Sequence, residues 1–252
     1  MKTIDFTGKT AVLTGAASGL GLCAAHELVK LGATVVMCDI NGAALEKSAT
    51  DINAAAGRSK AFACVADVRS FADAERAATL ALEKTGRIDI LIPFAGGYEA
   101  RMCNSYVQFY EQPIEVIDWG LDVNLKGAVY FARACMPAMV KQGSGFICCI
   151  GSVTGFEGAG EGAMYGTAKS GLFNFVKGLA QAGAPHGVRA VCVTPGPVMT
   201  RPGMANMKTL QGRAAEPIEL VNFILFLASE NGVSITGSNH VVDCGRLAMM
   251  PA

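Results

Sequence analysis

The chain alternates short β-rich runs with longer helical patterns, and this predicts a doubly wound α/β fold: a parallel sheet of about seven strands with helices on both faces. Two further observations support that class. The strand runs are continuously apolar, as in strands covered on both faces. No linker, repeat or low-complexity segment interrupts the rhythm, so residues 1–252 read as a single domain.

The elements follow in order. TAVLTG (10–15) is a strand, followed by a helical stretch, 19–31, that Gly32 closes as a C′ residue. TVVMCD (34–39) precedes a helix over 42–56, and KAFACVAD (60–67) precedes one over 70–85. IDILIPFAG (88–96) is the fourth strand. GFICCIGS (145–152), VRAVCVTPG (188–196) and NHVVD (239–243) complete the sheet. Helices are expected over 114–141 and 164–184.

Composition narrows the function. With 51% hydrophobic and 17% charged residues the chain can bury a large core. Lysine plus arginine number 21, and so do aspartate plus glutamate, which leaves no global charge to attract nucleic acid or a membrane surface. No apolar run is long enough to span a bilayer. The opening MKTIDFTGKTAVLTG lacks the layout of a signal peptide. Nine cysteines lie in apolar settings with no C-x-x-C pair, and the three histidines have no cysteines near at zinc spacing. Cysteine at such places behaves as a small hydrophobe. The expectation is a cytoplasmic protein without metal or disulfide.

The first strand runs into TGAASGLG, which sets Gly15, Gly19 and Gly21 at a strand-to-helix turn, with Ser18 before the helix. Glycines there let a pyrophosphate approach the free N–H groups and dipole of the helix. Asp39 closes the second strand, 18 residues beyond Gly21, where a carboxylate can hold the two hydroxyls of an adenosine ribose. The same carboxylate repels a 2′-phosphate, and neither Ser18, Ile40 nor Asn41 is basic, so NAD is favoured over NADP.

In MYGTAKS, Tyr165 and Lys169 stand four positions apart and share a helix face. An ammonium beside a phenol favours the phenolate, which can take an alcohol proton as hydride leaves carbon, or return it in the reverse direction.

These residues together resemble the short-chain dehydrogenase/reductase (SDR) family from about residue 6 to residue 245. T-G-x-x-x-G-x-G stands as Thr14 to Gly21, an adenine-contacting pair as Asp67-Val68, and the family asparagine as Asn124 in DVNLKG. The family serine is Ser152 in IGSVTG, Y-x-x-x-K is Tyr165 and Lys169, and the P-G turn is Pro195-Gly196, with Thr200 four residues on. The resemblance implies a Rossmann-type sheet and a catalytic set of Asn124, Ser152, Tyr165 and Lys169. In it Ser152 bonds the substrate oxygen, Lys169 also holds the nicotinamide ribose, and Asn124 holds a water of the proton relay. Cofactor contacts then extend to Leu20, Ile40, Ala95, Gly96 and Val198, and the assembly is a homotetramer through the helices near 114–141 and 164–184, with a dimer as the fallback. The apolar tail GRLAMMPA adds to the surfaces that such an assembly would cover.

The chain departs from the family in places. PFAG replaces N-N-A-G, so Phe94 stands where asparagine is expected, as do Cys149 and Val191 on later strands. Either the sheet packs differently there, or Phe94 reshapes the floor under the nicotinamide. Substrate-side segments fall near 97–113 and 197–216, the first rich in aromatics and the second short for a lid. SYVQFY, with Tyr106, Phe109 and Tyr110, is expected either to wall the substrate or to pack its own loop. Glu157 and Glu161 could bond a polyhydroxylated substrate or simply be solvated.

The sequence therefore predicts an NAD(H)-dependent oxidoreductase acting on a secondary alcohol or its ketone, with a polyol, sugar, sugar acid or hydroxysteroid as substrate. The alternatives are an oxoacyl ketoreductase of fatty-acid type, which calls for a basic residue near Ser18 or Ile40, and a non-catalytic NAD-binding protein, which calls for loss of a catalytic residue.

Overall fold

The computed structural model describes residues 2–249, and the last three residues of the apolar tail lie outside them. Its elements are β1 (Thr10–Thr14), α1 (Gly19–Lys30), β2 (Thr34–Asp39), α2 (Gly42–Ala56), β3 (Ala61–Val65), α3 (Phe71–Thr85), β4 (Ile90–Pro93), α4 (Glu99–Met102), α5 (Ile114–Leu121), α6 (Gly127–Gln142), β5 (Gly145–Ile150), α7 (Thr154–Glu157), α8 (Ala163–Gly183), β6 (Val188–Pro195), α9 (Pro217–Ala228) and β7 (Asn239–Val242). The strands form a seven-stranded sheet in the order β3-β2-β1-β4-β5-β6-β7, every pairing parallel.

Burial on both faces explains the continuous apolar strands. Along β1, Ala11 and Leu13 pack with Leu28 of α1, Leu45 of α2 and Leu220 of α9. Val12 faces the other way, into Ala77 of α3, Phe131 of α6 and Leu172 of α8. A charged side chain at either parity would be buried, so neither parity carries one, and the buried hydroxyls at the two ends of β1, Thr10 and Thr14, are hydrogen-bonded to Thr85 and to the Ala95 N–H. Six of the cysteines share this burial and all nine are unpaired. For Cys135, burial alone pushes the thiol up to about 12.

One expected element divides. Residues 114–141 form α5, a π turn over Asp122–Lys126, and α6. Nδ2 of Asn124 donates to the carbonyl of Gly120 at 3.0 Å, an acceptor that a regular helix would give to the backbone N–H four residues on. The amide of Asn124 thus competes with its own helix, and the turn widens around it.

Among the described residues, no helix is long and apolar enough to cross a membrane, and no group of three metal-ligating side chains could hold an ion.

Candidate active site

Strand order reverses between β1 and β4, so the crossovers leave on opposite faces and open a crevice at the carboxyl ends of the strands. A cavity of about 910 Å³ fills that crevice. Every residue singled out from the sequence for cofactor or catalysis lines it, with the exception of Asn124.

One half is built from strand ends. Gly15 takes φ +61°, and a Cβ there would lie 2.8 Å from the Ala95 nitrogen. A Cβ on Gly21 would collide with the Gly15 carbonyl, so only glycine lets α1 start this close to the sheet. The N-terminus of α1 has no side-chain cap at Ser18 and no acid in its first turn, whereas Asn41, Ser70 and Glu216 cap α2, α3 and α9. Its N–H groups are left for an anion from the cavity, as a dinucleotide's pyrophosphate requires. The hydroxyl of Thr14 accepts the Ala95 N–H at 3.0 Å, which ties the end of β1 to the turn after β4.

Asp39 is fixed by two backbone donors, Ala17 N–H at 3.1 Å and Asn41 N–H at 3.0 Å, with exposed Ile40 beside it. Asp67 lines the same wall next to Val68. Arg69 forks its carboxylate at 2.6–3.0 Å, and that hydrogen bonding holds the Asp67 carboxyl below its ordinary range. At the opposite wall, Gly196 N–H donates to the Val242 carbonyl at 3.1 Å, which anchors the Pro195-Gly196 turn. An isolated bridge from Val198 to Ala215 continues the strand direction, and the Thr200 methyl stands 3.6 Å from where a Gly19 Cβ would be.

The other half holds Tyr165, Lys169 and Ser152. Lys169 is buried, donates from Nζ to the Ile150 carbonyl at 2.8 Å, and stands 5.5 Å from the ring centre of Tyr165. Ser152 follows β5, and its Oγ accepts the Thr154 N–H at 3.2 Å. The one-turn spacing on α8 and the end of β5 therefore bring Tyr165, Lys169 and Ser152 to one cavity wall.

Asn124 lies behind that wall. Its Nδ2 donates to the Gly97 and Gly120 carbonyls at 2.9 and 3.0 Å, and its Oδ1 accepts the Gly97 N–H at 2.8 Å. With both amide hydrogens spent, the side chain fixes the turn after β4 and does not offer them to a relay water. Gly96 must be glycine for the same reason: a Cβ would come within 2.6 Å of Oδ1.

Glu99 is a residue that the sequence reading missed. It is 2% exposed at the start of α4, and its Oε1 accepts the N–H groups of Met164 and Tyr165 at 2.9 and 3.0 Å. It therefore caps α8 at the residue that bears the phenol. Its Oε2 is buried without a partner among the described residues. These partners lie 65 and 66 positions away, so no local spacing announces them.

Several substrate-side expectations change. Tyr106, Phe109 and Tyr110 do not line the cavity, and Tyr110 is 82% exposed. The wall is made instead by Tyr98, Arg101, Met102 and Trp119, with Arg201, Met204 and Met207 opposite. Tyr98 meets Tyr165 edge-on at 5.9 Å between ring centres. The hydrogen bond from Gln112 to the Glu161 carbonyl holds the aromatic loop against the 158–162 turn, away from the cavity. Glu157 is taken by Arg246, whose guanidinium approaches its carboxylate to 2.7 Å. Neither Glu157 nor Glu161 lines the cavity. Cys149 and Val191 are fully buried in the sheet, which fits altered packing, whereas Phe94 both packs on the core and lines the cavity.

The family model described as short chain dehydrogenase matches residues 9–211, and the chain belongs to that family, whose members work with a nicotinamide cofactor. It is 33% identical to the oxidoreductase UcpA of Salmonella typhimurium, over 95% of this chain and 94% of that protein. It is 30% identical to the 2-dehydro-3-deoxy-L-rhamnonate dehydrogenase (NAD(+)) of a Sphingomonas species, over 96% of each chain. The L-sorbose reductase of Gluconobacter frateurii, solved with NADPH and L-sorbose, superposes with a TM-score of 0.89 at 26% identity, covering 99% of this chain and all of that one.

Proposed function

We propose that the protein is an NAD(H)-dependent dehydrogenase/reductase of a secondary alcohol or its ketone, acting on a polyol, sugar or related hydroxylated compound. The observation that carries this reading is the convergence of Tyr165, Lys169 and Ser152 on the cavity that also holds the glycine turn and Asp39. The cradle fits a dinucleotide: a Cβ at Gly15 or Gly21 would fill it, and α1 is uncapped toward it. Gly15, Ser18, Gly19, Leu20 and Gly21 would hold the pyrophosphate, Asp39 and Ile40 the adenosine ribose, Asp67 and Val68 the adenine. Ala95, Gly96, Pro195, Gly196, Val198 and Thr200 would enclose the nicotinamide end. The nicotinamide, when bound, takes up or gives the hydride.

The chain's own residues manage the proton. The phenolate of Tyr165 takes it from the substrate hydroxyl in oxidation, and the phenol returns it to the substrate oxygen in reduction. The ammonium of Lys169 stands 5.5 Å from the Tyr165 ring centre and would reach the ribose hydroxyls, while Ser152 would donate a hydrogen bond to the reacting oxygen. The two fixed donors on Asp39 aim a negative charge where a 2′-phosphate would sit, which favours NAD(H). The sorbose reductase was solved with NADPH, so preference must be measured.

The test follows reduced-nicotinamide absorbance over polyols, sugars, hydroxysteroids and acyl ketones, each with NAD(H) and NADP(H). Tyr165→Phe should lower kcat about 10²- to 10⁴-fold while leaving cofactor affinity in place. Turnover that survives Tyr165→Phe would sink the assigned role. Equal or better rates with NADP(H) would sink the Asp39 argument and promote the oxoacyl reductase, and cofactor binding without any turnover would favour the non-catalytic reading.

A homotetramer, or failing that a dimer, is the assembly we expect, because α6 and α8 carry half-buried Tyr130, Phe175 and Leu179. Light scattering on the purified protein would settle it. Nine free thiols suit a reducing compartment such as the cytoplasm.

A further inference from the structure

Two arginines face the substrate half of the cavity without a partner. Arg101 comes from α4 and Arg201 from the segment after β6, and both line the cavity that Tyr165 lines. A terminal nitrogen of Arg101 lies 3.5 Å from where a Gly97 Cβ would be, so its guanidinium folds over the glycine that Asn124 holds. Arg201 is half-buried, and its one side-chain polar contact among the described residues is with Met204 Sδ at 3.9 Å. Neither forms an ion pair among the described residues. By contrast Arg69, Arg76, Arg87, Arg213 and Arg246 each engage a carboxylate.

Arg201 and Arg101 also act on each other. Burial, and after it the positive charge of Arg101, hold the Arg201 guanidinium below its ordinary range, while Tyr165 and Tyr106 act in the opposite direction. Two cations that line the same cavity from facing segments, neither ion-paired among the described residues, form a site that an anion would relieve. The planar fork of a guanidinium matches two oxygens of one group. Around them Tyr98, Met102, Trp119 and Met204 supply apolar and adaptable surface.

We propose that Arg101 and Arg201 form an anion clamp, and that the substrate carries a carboxylate on a compact apolar or ring body, held away from the carbon that exchanges hydride. This rests on the reading that Tyr165 marks the reacting end. The rival anion is the cofactor's own pyrophosphate, since the methyl of Thr200, next to Arg201, stands 3.6 Å from where a Gly19 Cβ would be. The influence of Arg101, Tyr165 and Tyr106 on Arg201 favours the substrate side.

Calorimetric titration of the NADH-bound protein with benzoate against benzamide, and with gluconate against glucitol, tests the clamp without turnover. Each pair matches in size and differs in charge. At least one carboxylate should bind about tenfold or more tightly than its neutral partner. Arg101→Met and Arg201→Met should each weaken that carboxylate by about tenfold or more and leave NADH affinity unchanged, and Arg201→Lys should retain part of it. Circular dichroism confirms that each variant is folded, and should Arg201→Met fail, Arg101→Met and Arg201→Lys carry the comparison. Carboxylates that fail to bind, bind no better than neutral partners, or bind the variants equally well would overturn the clamp. Weaker NADH binding in Arg201→Met would overturn it too, by assigning that residue to the pyrophosphate. Inorganic phosphate that binds tighter than either carboxylate would overturn the carboxylate assignment. Intact discrimination in a protein that turns over no alcohol would sink the oxidoreductase reading alone.

Discussion

The two halves of the cavity are built by different means. The cofactor half hangs from the ends of β1, β2 and β4 and the start of α1, where hydrogen bonds such as Thr14 to Ala95 leave little freedom. The substrate half is borrowed from two connecting segments, 97–113 and 197–216, whose cavity-facing residues are Tyr98, Arg101, Met102, Arg201, Met204 and Met207. A sheet edge repeats the same backbone geometry wherever it occurs, so it can serve one dinucleotide. A loop wall changes with a few residues, so it can set the substrate.

Substitutions in each half should have separable effects, and apart from Tyr165 itself the largest should come from the cofactor half. Asp39→Ala removes a carboxylate aimed by two backbone donors, so NAD(H) affinity should fall about 10- to 100-fold and NADP(H) affinity should rise. Fluorescence titration with each nucleotide reads both, and an unchanged ratio would break the contrast. Glu99 links the halves. Glu99→Ala removes the cap of α8 at Met164 and Tyr165 and should cost about 0.5–2 kcal/mol in chemical denaturation. It should also lower kcat more than it raises KM, because the misplaced group is the phenol. Glu99→Gln keeps an acceptor and should recover most of both.

A smaller effect separates the aromatic side chain that lines the cavity from those that do not. Tyr98→Ala removes an edge-on contact with Tyr165, worth about 0.5–1.5 kcal/mol, and should raise KM several-fold. Tyr110→Ala, at a side chain 82% exposed, should leave KM within error. Steady-state kinetics on the two variants would reverse the assignment if Tyr110→Ala alone had an effect.

The smallest kinetic effect should come from Asp89, just before β4 and at the opposite end of that strand from the cavity. Burial alone would raise its carboxyl, but hydrogen bonds from Arg87 and Thr10 and the charge of Lys9 outweigh burial and hold it below the ordinary range. A depressed folded value means the ion stabilises the fold above the ordinary carboxylate range, and that contribution is lost as pH falls through the depressed value. Asp89→Asn should therefore cost about 1–3 kcal/mol at neutral pH, flatten the acid limb of the stability curve, and leave kcat/KM alone. Thermal melts from neutral to acid pH would show it.

How far each region could be read follows the same division. The strands, the helices read over 42–56 and 70–85, and the residues of the glycine turn stand within a few residues of where the sequence pattern put them, because apolar periodicity and Gly placement are local signals. The helix expected over 114–141 broke at Asn124, since nothing in DVNLKG announces that its amide will take the Gly120 carbonyl. Glu157 was misassigned because Arg246, its partner, is 89 positions away. SYVQFY drew attention by composition, while Tyr98 does the facing.

The sequence by itself determined the sheet, the glycine turn, Asp39 and the Tyr165–Lys169 spacing, because each depends on neighbours within a few turns of chain. Only the tertiary structure decided that Glu99 caps α8 at Tyr165, that Asn124 stands behind the cavity, and that Arg101 and Arg201 meet in one cavity. Those are meetings between distant segments, and burial and hydrogen-bond satisfaction in the folded chain choose them, not local propensity.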